Sequence, residues 1–269
     1  MYGAILGDLC GSLYESENLK SDTPEKISLL NKKAFYTDDS VLSCAIAEAI
    51  LESEDYTSSL KKWARKYPKA GYGYRFAKWA VSSDDVSAYR SCGNGSAMRV
   101  SPLGWAFDTL EKTLEEAENS AIGTHHHREG IKGARAVAAA IFLARTGAGK
   151  EEIKKYIQKK FHYRLNKSIG EIRKNYRFEA TCQRTVPQAI TAFLESSDSV
   201  STIQLALSLG GDSDTLACIA GSIAEAYYKD IPDDLIEYAE SIIPEEMKTI
   251  IDRFHDKYGS GKLKISFCV

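Results

Sequence analysis

The sequence predicts an all-α protein, and three observations support this fold class. Alanine-rich stretches with apolar residues three and four positions apart recur along the chain, which is the spacing of a buried helix face. Valine, isoleucine and threonine do not gather into the alternating runs typical of half-buried strands. Hydroxyl and carboxylate residues stand directly before two apolar runs, where they can cap helices. No repeat, low-complexity segment or linker interrupts the pattern, so we expect one domain over residues 1–269.

Candidate helices follow one another through the chain. The first carries Gly3, Gly7 and Gly11 at a four-residue spacing, which places them on one face and allows a second helix to approach closely. Further predicted elements are a helix with an apolar face from Val41 to Ile50, a helix from Leu60 to Tyr67 that Pro68 ends, a glycine-rich turn at Ser91 running into a helix towards Phe107, a buried helix from Ile131 to Thr146, a helix after Thr215, two helices within Asp233–Tyr258, and an extended tail from Lys262 to Val269.

The composition is ordinary for a soluble globular protein, with 43% apolar and 27% charged residues. The net charge of −2 and a pI of about 6.3 provide no basic surface for nucleic acid, so we do not expect a nucleic-acid partner. The six cysteines are scattered without a CxxC pair, which predicts reduced thiols. No signal peptide or apolar run long enough to span a membrane is present, so we expect a cytoplasmic protein. We also expect a monomer.

Two acidic helix starts are the strongest functional signal. Residues 210–215 read GGDSDT and residues 37–40 read TDDS, and each stretch precedes an apolar helix. Helix capping explains one aspartate in each stretch. Two neighbouring carboxylates repel unless a cation lies between them, so a metal site is the alternative to capping alone. If both helix starts converge, four carboxylates and several hydroxyls would suit Mg²⁺, Mn²⁺ or Ca²⁺ and could neutralise two divalent ions.

Three other stretches are candidates for ligand binding. The run from Tyr67 to Trp79 is rich in aromatic residues and could present a ring to a flat ligand such as adenine, although a core patch is the commoner explanation. The Gly93-Asn94-Gly95 turn could hold phosphate through its backbone amides, or could simply be a turn. The three adjacent histidines after Thr124 point in different directions on a helix, so they cannot all bind one metal ion.

With these stretches side by side, the chain resembles the ADP-ribosylglycohydrolase family, the hydrolases similar to dinitrogenase reductase-activating glycohydrolase. The resemblance implies an orthogonal multi-helix bundle that holds two Mg²⁺ or Mn²⁺ ions and hydrolyses the bond between ADP-ribose and a protein side chain or small molecule. The matching runs are GAILGDLCGSLYE (Gly3 to Glu15), YTDDS (Tyr36 to Ser40), SCGNGSAMRVSP (Ser91 to Pro102), THHHREGIKGA (Thr124 to Ala134) and GGDSDTLACIAG (Gly210 to Gly221).

The resemblance also implies roles for individual residues. Glu15 matches an acidic residue that some branches use in catalysis, and His125 matches a histidine that approaches the diphosphate. Cys92 stands where one branch carries an aromatic residue that stacks on adenine, so adenine stacking must come from elsewhere. The implied metal ligands are Thr37, Asp38, Asp39, Asp212, Asp214 and Thr215, and the implied ADP-ribose-binding positions are Ser91, Gly93, Asn94 and Gly95.

Two other functions remain open at this point. The chain could bind ADP-ribose without turning it over, although all six implied ligand positions are intact. A two-metal phosphohydrolase that cuts the diphosphate would use the same kind of carboxylate site. The sequence also leaves open the linkage that is cut: to arginine, to serine, to an acetylated ribose or to a nucleobase.

Overall fold

The computed structural model of the chain describes residues 1–17, 19–83 and 89–259. Helices make up the fold, and within these ranges the only β-type pairings are two isolated bridges, so the all-α prediction is confirmed. The helices are α1 (Tyr2–Gly11), α2 (Tyr14–Glu17), α3 (Asp38–Glu52), α4 (Tyr56–Lys66), α5 (Tyr74–Ala80), α6 (Gly95–Met98), α7 (Ser101–Ala106), α8 (Leu110–His125), α9 (Arg128–Arg145), α10 (Lys150–Phe161), α11 (Ile169–Asn175), α12 (Cys182–Glu195), α13 (Ser199–Leu207), α14 (Ser213–Tyr228), α15 (Asp233–Ile242) and α16 (Glu245–Tyr258), with a short 3₁₀ turn at Pro24–Lys26.

The central contact of the fold joins α1 and α14, which touch backbone to backbone. A Cβ atom added at Gly7 would lie 2.2 Å from the Ala217 carbonyl, and one added at Gly11 would lie 2.3 Å from the Cα of Asp214. Side chains larger than hydrogen cannot fit there, which explains the glycine spacing. Because Gly11 touches the first turn of α14, this packing fixes the end of α1 beside the acidic start of α14.

Alanine-rich helices surround this pair. The buried side of α14 packs on α9, α12 and α13, while α8 covers α9 and α4 and α16 cover α3. Residues Ala136 to Ile141 of α9 are all buried, as predicted for the helix in that region. No helix in the described ranges combines the length and apolarity that a membrane span needs.

Three local expectations need correction or lie outside the described residues. The expected continuous helix from the glycine-rich turn towards Phe107 is wrong: α6 ends at Met98, and α7 begins at Ser101. Pro102, in the first turn of α7, has no amide hydrogen and cannot continue a helix from α6. Helix α4 begins at Tyr56, four residues earlier than the apolar pattern suggested, because Asp55 caps it by accepting from the Ser58 amide at 2.8 Å. The expected extended tail lies outside the described residues.

Candidate active site

A buried carboxylate of α1 holds the start of α3. Asp8 accepts hydrogen bonds from the backbone amides of Thr37 (2.9 Å) and Ser40 (3.1 Å). The hydroxyl groups of both residues also donate to it, that of Thr37 at 2.7 Å. Asp8 thus satisfies amides that the first turn of α3 cannot satisfy internally. It was not among the residues singled out from the sequence, although one charged side chain in an otherwise apolar helix was a signal for a buried polar contact.

The starts of α3 and α14 meet at the floor of one cavity. Thr215, in the first turn of α14, donates a hydrogen bond to the Asp39 carboxylate at 3.2 Å and so links the two helix starts directly. Local structure sets the direction of each helix start. The Thr37 side chain caps α3. Gly210 and Gly211 adopt positive φ angles of 70° and 74° directly before α14. Two overlapping groups of carboxylates result, each with oxygens within 4.8 Å of one another: Asp8, Asp39 and Asp214, and Glu15, Asp212 and Asp214.

The cavity has a volume of about 470 Å³, which is within the range of small-molecule sites. Every residue singled out from the sequence for catalysis, metal binding or substrate binding lines it. Asp38 lines the cavity without belonging to either close carboxylate group. The lining set of predicted residues is Glu15, Thr37, Asp38, Asp39, Ser91, Gly93, Asn94, Gly95, His125, Asp212, Asp214 and Thr215.

The electrostatics of the acidic floor fit a hard divalent cation. Burial, and then the neighbouring Asp8, raise the pKa of Asp38 to about 8. Burial and neighbouring carboxylates also raise the pKa of Asp39 and Asp214. The Oδ1 atom of Asp39 is buried and has no hydrogen-bond partner in the described part of the chain. A divalent cation would relieve the repulsion and occupy that oxygen, and carboxylate and hydroxyl oxygens are ligands that Mg²⁺ and Mn²⁺ prefer.

Glu15 lies on the short helix α2 and stands at the edge of the acidic floor. Its side chain is partly exposed, unlike the carboxylates of Asp212 and Asp214 with which it groups. Burial, and then the charge of Asp212, raise the pKa of the Glu15 carboxyl. A group in this position can hold a proton at higher pH than an ordinary glutamate and can still be reached by a ligand.

The glycine-rich turn is tied to the acidic floor by Asn94. The side-chain amide of Asn94 donates to the Asp212 carboxylate at 2.6 Å and to the Thr185 hydroxyl at 3.1 Å. The backbone amide of Asn94 donates to the Ala180 carbonyl at 2.9 Å, and that of Gly93 donates to the Ser91 hydroxyl at 3.0 Å. These two amides are therefore engaged within the protein and are not available to a ligand.

The three adjacent histidines separate as expected. His125 ends α8, is buried and lines the main cavity. His126 is exposed and lines a different surface cavity beside Trp79. His127 caps α9 by accepting from the Glu129 amide at 3.2 Å. Only His125 therefore contributes to the candidate site.

The aromatic run resolves into a core part and an exposed part. Phe76 and Trp79 are buried and contact each other as tilted rings with a centroid distance of 5.3 Å, so they belong to the core. The exposed part is Tyr74, which is one of three exposed aromatic side chains among the described residues, and all three line the main cavity. They are Phe35, Tyr74 and Phe178, with exposed fractions of 51%, 81% and 55%.

The chain is similar to several known proteins. The chain is 27% identical to the ADP-ribosylhydrolase ARH3 of Mus musculus over 94% of this chain and 89% of the relative. It is 28% identical to the ADP-ribosylhydrolase ARH3 of Homo sapiens, covering 84% of this chain and 83% of the relative. It is 23% identical to the ADP-ribosylarginine hydrolase Tri1 of Pseudomonas putida, over 85% of this chain and 69% of the relative.

The fold has a counterpart among solved structures. A chain described as an ADP-ribosylglycohydrolase-related protein complex superposes with a TM-score of 0.72 at 24% identity, covering 95% of this chain and 96% of its own. This similarity concerns the fold alone. The family model described as ADP-ribosylglycohydrolase matches residues 1–263, which is nearly the whole chain. The protein therefore belongs to the ADP-ribosylglycohydrolase family.

Proposed function

We propose that this chain is a metal-dependent hydrolase that removes ADP-ribose from a modified protein side chain or a small molecule. The observation that carries the proposal is the meeting of two acidic helix starts, at Asp39 and Asp214, on the floor of a cavity of suitable size. The relatives named ADP-ribosylhydrolases support ADP-ribose as the group that is released.

We assign the cofactor as two Mg²⁺ or Mn²⁺ ions. Bound there, the ions would hold the ribose hydroxyls next to the scissile bond and stabilise the negative charge that develops on oxygen. The free Oδ1 of Asp39 and the raised pKa values of the floor carboxylates support a cation at this place. The residues that would hold the ions are Thr37, Asp38, Asp39, Asp212, Asp214 and Thr215.

Glu15 is the residue we assign to proton transfer. Hydrolysis replaces the bond from the anomeric carbon to the acceptor with a bond to a water oxygen, and a proton must pass from the water to the departing acceptor. Glu15 is partly exposed at the edge of the floor, so it can meet both groups without being fully committed to the buried cluster. Its raised pKa favours a protonated form that can donate to a leaving group.

The wall beside the acidic floor would hold the rest of the nucleotide. Ser91, Gly93, Asn94 and Gly95 line the cavity next to His125, and we assign this wall to the diphosphate and the adjoining ribose. Asn94 has a second task, because its hydrogen bond at 2.6 Å orients Asp212. This one hydrogen bond therefore positions both the glycine-rich turn and the proposed metal ligand Asp212.

Phe178 is the residue we assign to stacking on the adenine. It lies on the segment between α11 and α12 whose Ala180 carbonyl accepts from the Asn94 amide, and it lines the same cavity as the glycine-rich turn. The Gly211 position also fixes this segment: a Cβ there would lie 3.1 Å from the Arg177 carbonyl. An exposed phenylalanine that lines the cavity offers the flat apolar face that a base needs, and Cys92 does not.

We further propose that the protein acts as a monomer in the cytoplasm. The five cysteines within the described ranges are free thiols, four of them buried, which is typical of proteins from a reducing compartment.

A panel of defined ADP-ribosylated substrates tests the proposed reaction. The panel contains ADP-ribosyl-arginine, ADP-ribosyl-serine, acetylated ADP-ribose and ADP-ribosylated nucleobase, and product release is followed by chromatography with Mg²⁺, with Mn²⁺ and with EDTA. Intact ADP-ribose should appear from at least one substrate, and only with a divalent cation. Asp212→Ala and Asp38→Ala should abolish the release, while Asp55→Asn at the cap of α4 should leave it unchanged.

Other products would point to a different function. AMP and ribose phosphate would indicate a phosphohydrolase that cuts the diphosphate. ADP-ribose binding with no turnover of any substrate would indicate a binding module. Full activity after exhaustive dialysis against EDTA would rule out the metal-dependent mechanism.

A further inference from the structure

A chain of buried polar side chains leads from Arg99 to the wall of the cavity. The Nη2 atom of Arg99 donates to the Thr124 hydroxyl at 2.9 Å and to the Ser120 carbonyl at 2.8 Å. The Thr124 Oγ1 atom lies 2.7 Å from the Nδ1 atom of His125. Arg99 and Thr124 are fully buried, and His125 is 4% exposed. Water therefore does not compete for these contacts.

The direction of each hydrogen bond follows from the chemistry of the groups. A guanidinium group can only donate, so the Thr124 oxygen accepts from Arg99. Among the described residues, the Nδ1 atom of His125 is the acceptor placed to receive the single hydroxyl hydrogen of Thr124. A neutral imidazole that accepts at Nδ1 carries its hydrogen on Nε2. The contacts thus favour the Nε2–H tautomer of neutral His125.

The neutral form itself is favoured by the surroundings. Burial, and then the positive charges of Arg99 and Arg75, hold the pKa of His125 well below its usual range. The imidazole is therefore uncharged at neutral pH, and the hydrogen-bond pattern rather than the charge decides what His125 can offer to a ligand.

The Nε2 atom faces the glycine-rich turn at the cavity wall. A Cβ atom would lie 3.3 Å from Nε2 if added at Gly95, and 3.5 Å if added at Gly93. The two glycines therefore leave the edge of the ring open to the cavity that His125 lines. The amides of Gly93 and Asn94 are already engaged, so an Nε2–H group would supply a directed donor at this point of the wall.

We propose that Arg99 and Thr124 are positioning residues that hold His125 as its Nε2–H tautomer, so that it donates a hydrogen bond to an anionic oxygen of the substrate. The diphosphate is the anionic group in question, and this part of the proposal rests on the proposed function. The tautomer itself does not depend on that function. His125 touches the ligand, whereas Arg99 and Thr124 act through it.

Nitrogen NMR of ¹⁵N-histidine-labelled protein reads the tautomer directly. The chain has five histidines, and a His125→Gln variant identifies the His125 signals by their loss. The wild-type protein should show a protonated Nε2 and an unprotonated Nδ1 at neutral pH. Thr124→Val keeps the shape of the side chain but removes the hydroxyl, so it should shift the Nδ1 signal towards a mixture of tautomers, and Thr124→Ser should restore the wild-type spectrum.

Ligand affinity provides the functional readout. Thr124→Val should weaken ADP-ribose binding about fivefold to tenfold, the scale of one hydrogen bond, when measured by titration calorimetry. The kcat on the best substrate should change less than KM, since the contact is made before and during the reaction. In a His125→Ala background the same substitution should have no further effect. Thr113→Val is the matched control, because Thr113 is a buried threonine of the same helix that donates to the Thr109 carbonyl instead.

The possible failures are distinguishable. A protonated Nδ1 in the wild-type protein would overturn the proposal, and so would unchanged spectra and affinity in Thr124→Val. Equal effects of Thr124→Val and Thr113→Val would show a packing effect and would also overturn it. If the wild-type protein neither binds nor releases ADP-ribose, the proposed function fails together with the diphosphate assignment, while the NMR result still decides whether the tautomer is held as proposed.

Discussion

Replacing Asp212 with asparagine should stabilise the metal-free protein and weaken its response to divalent cations. The Asp212 carboxylate has oxygens within 4.8 Å of those of Glu15 and Asp214. It also accepts the hydrogen bond from Asn94 at 2.6 Å. Asparagine keeps the shape of the side chain and an oxygen that can accept from Asn94, so the substitution removes the charge with little change in packing.

The size of the effect follows from the distance between the charges. Two like charges 4.8 Å apart repel by about 3.5 kcal/mol at an effective dielectric constant of about 20. Protonation relieves part of this repulsion because burial raises the pKa of Asp212 and Asp214. We therefore expect the free energy of unfolding to rise by about 1–2 kcal/mol, which raises the Tm by roughly 2–8 °C. A cation at about 100 times its Kd should stabilise the wild-type protein by about 2.7 kcal/mol, or roughly 5–10 °C.

The assay is thermal unfolding followed by circular dichroism at pH 7.5. Protein stripped with EDTA is titrated with MgCl₂ or MnCl₂, and KCl of equal ionic strength controls for screening. Asp55→Asn is the matched variant, because it removes a charge at another helix start while keeping a good cap. It should leave the stability within about 0.5 kcal/mol of the wild type and preserve the cation response.

Two results would refute this reasoning. If neither Mg²⁺ nor Mn²⁺ moves the Tm of the wild-type protein, the carboxylates do not bind these ions in the folded state. If Asp212→Asn is less stable than the wild type in EDTA while Asp55→Asn is not, repulsion between the floor carboxylates is not what limits the stability of the metal-free protein.

Four further predictions concern Glu15, the pH dependence of stability, Phe178 and Gly7. Glu15→Gln should lower kcat by about 10²-fold or more, the scale for loss of a general acid or base, and should leave ADP-ribose affinity within a few-fold. A near-normal kcat would show that Glu15 does not transfer the proton. The folded metal-free protein keeps a proton on Asp38 up to a pKa of about 8, whereas the unfolded chain loses it at about pH 4. The free energy of unfolding of metal-free protein should therefore fall as the pH rises from about 4 through about 8. A urea midpoint that stays constant over this window would contradict the raised pKa of the clustered carboxylates. Phe178→Ala should raise KM by about tenfold or more at unchanged kcat, the scale of one base stacking on a ring, and an unchanged KM would place the base elsewhere. Gly7→Ala should lower the free energy of unfolding by several kcal/mol or prevent folding, since its Cβ would lie 2.2 Å from the backbone of α14. Gly73→Ala is the control, because a Cβ at Gly73 has open space around it. It should change the free energy of unfolding by less than about 1 kcal/mol in chemical denaturation.

The helix starts could be predicted because capping and apolar spacing are local properties. The TDDS stretch of residues 37–40 and the GGDSDT stretch of residues 210–215 each precede an apolar helix, and the structure begins α3 and α14 at Asp38 and Ser213. The Thr37 side chain caps α3, whereas Asp212 occupies the N-cap position of α14 without a side-chain capping hydrogen bond. The break between α6 and α7 was missed because the apolar pattern continues across it, while Pro102 stops the backbone hydrogen bonds. Here the missing amide hydrogen outweighed the pattern of side chains.

The role of Asp8 shows the limit of local patterns in the site. Its partners, Thr37 and Ser40, are 29 and 32 residues away, and nothing near Asp8 in the sequence identifies them. The same holds for Phe178, whose exposure in the cavity depends on which segment packs beside the glycine-rich turn. Burial of a side chain is decided by its neighbours in space, so a single sequence indicates the residue type and not its surroundings.

The sequence by itself determined the all-α class, the places where the functional helices begin and the hard oxygen ligands that they carry, because backbone propensity, capping and ligand chemistry are fixed by residue type. Only the tertiary structure decided that the two acidic starts share one floor with Asp8 and Glu15, that Asn94 reaches Asp212, and that Arg99 reaches Thr124. The physical reason is the backbone contact of α1 with α14. The glycines permit that contact, but packing of the whole chain selects it among all the pairs of helices that could have met.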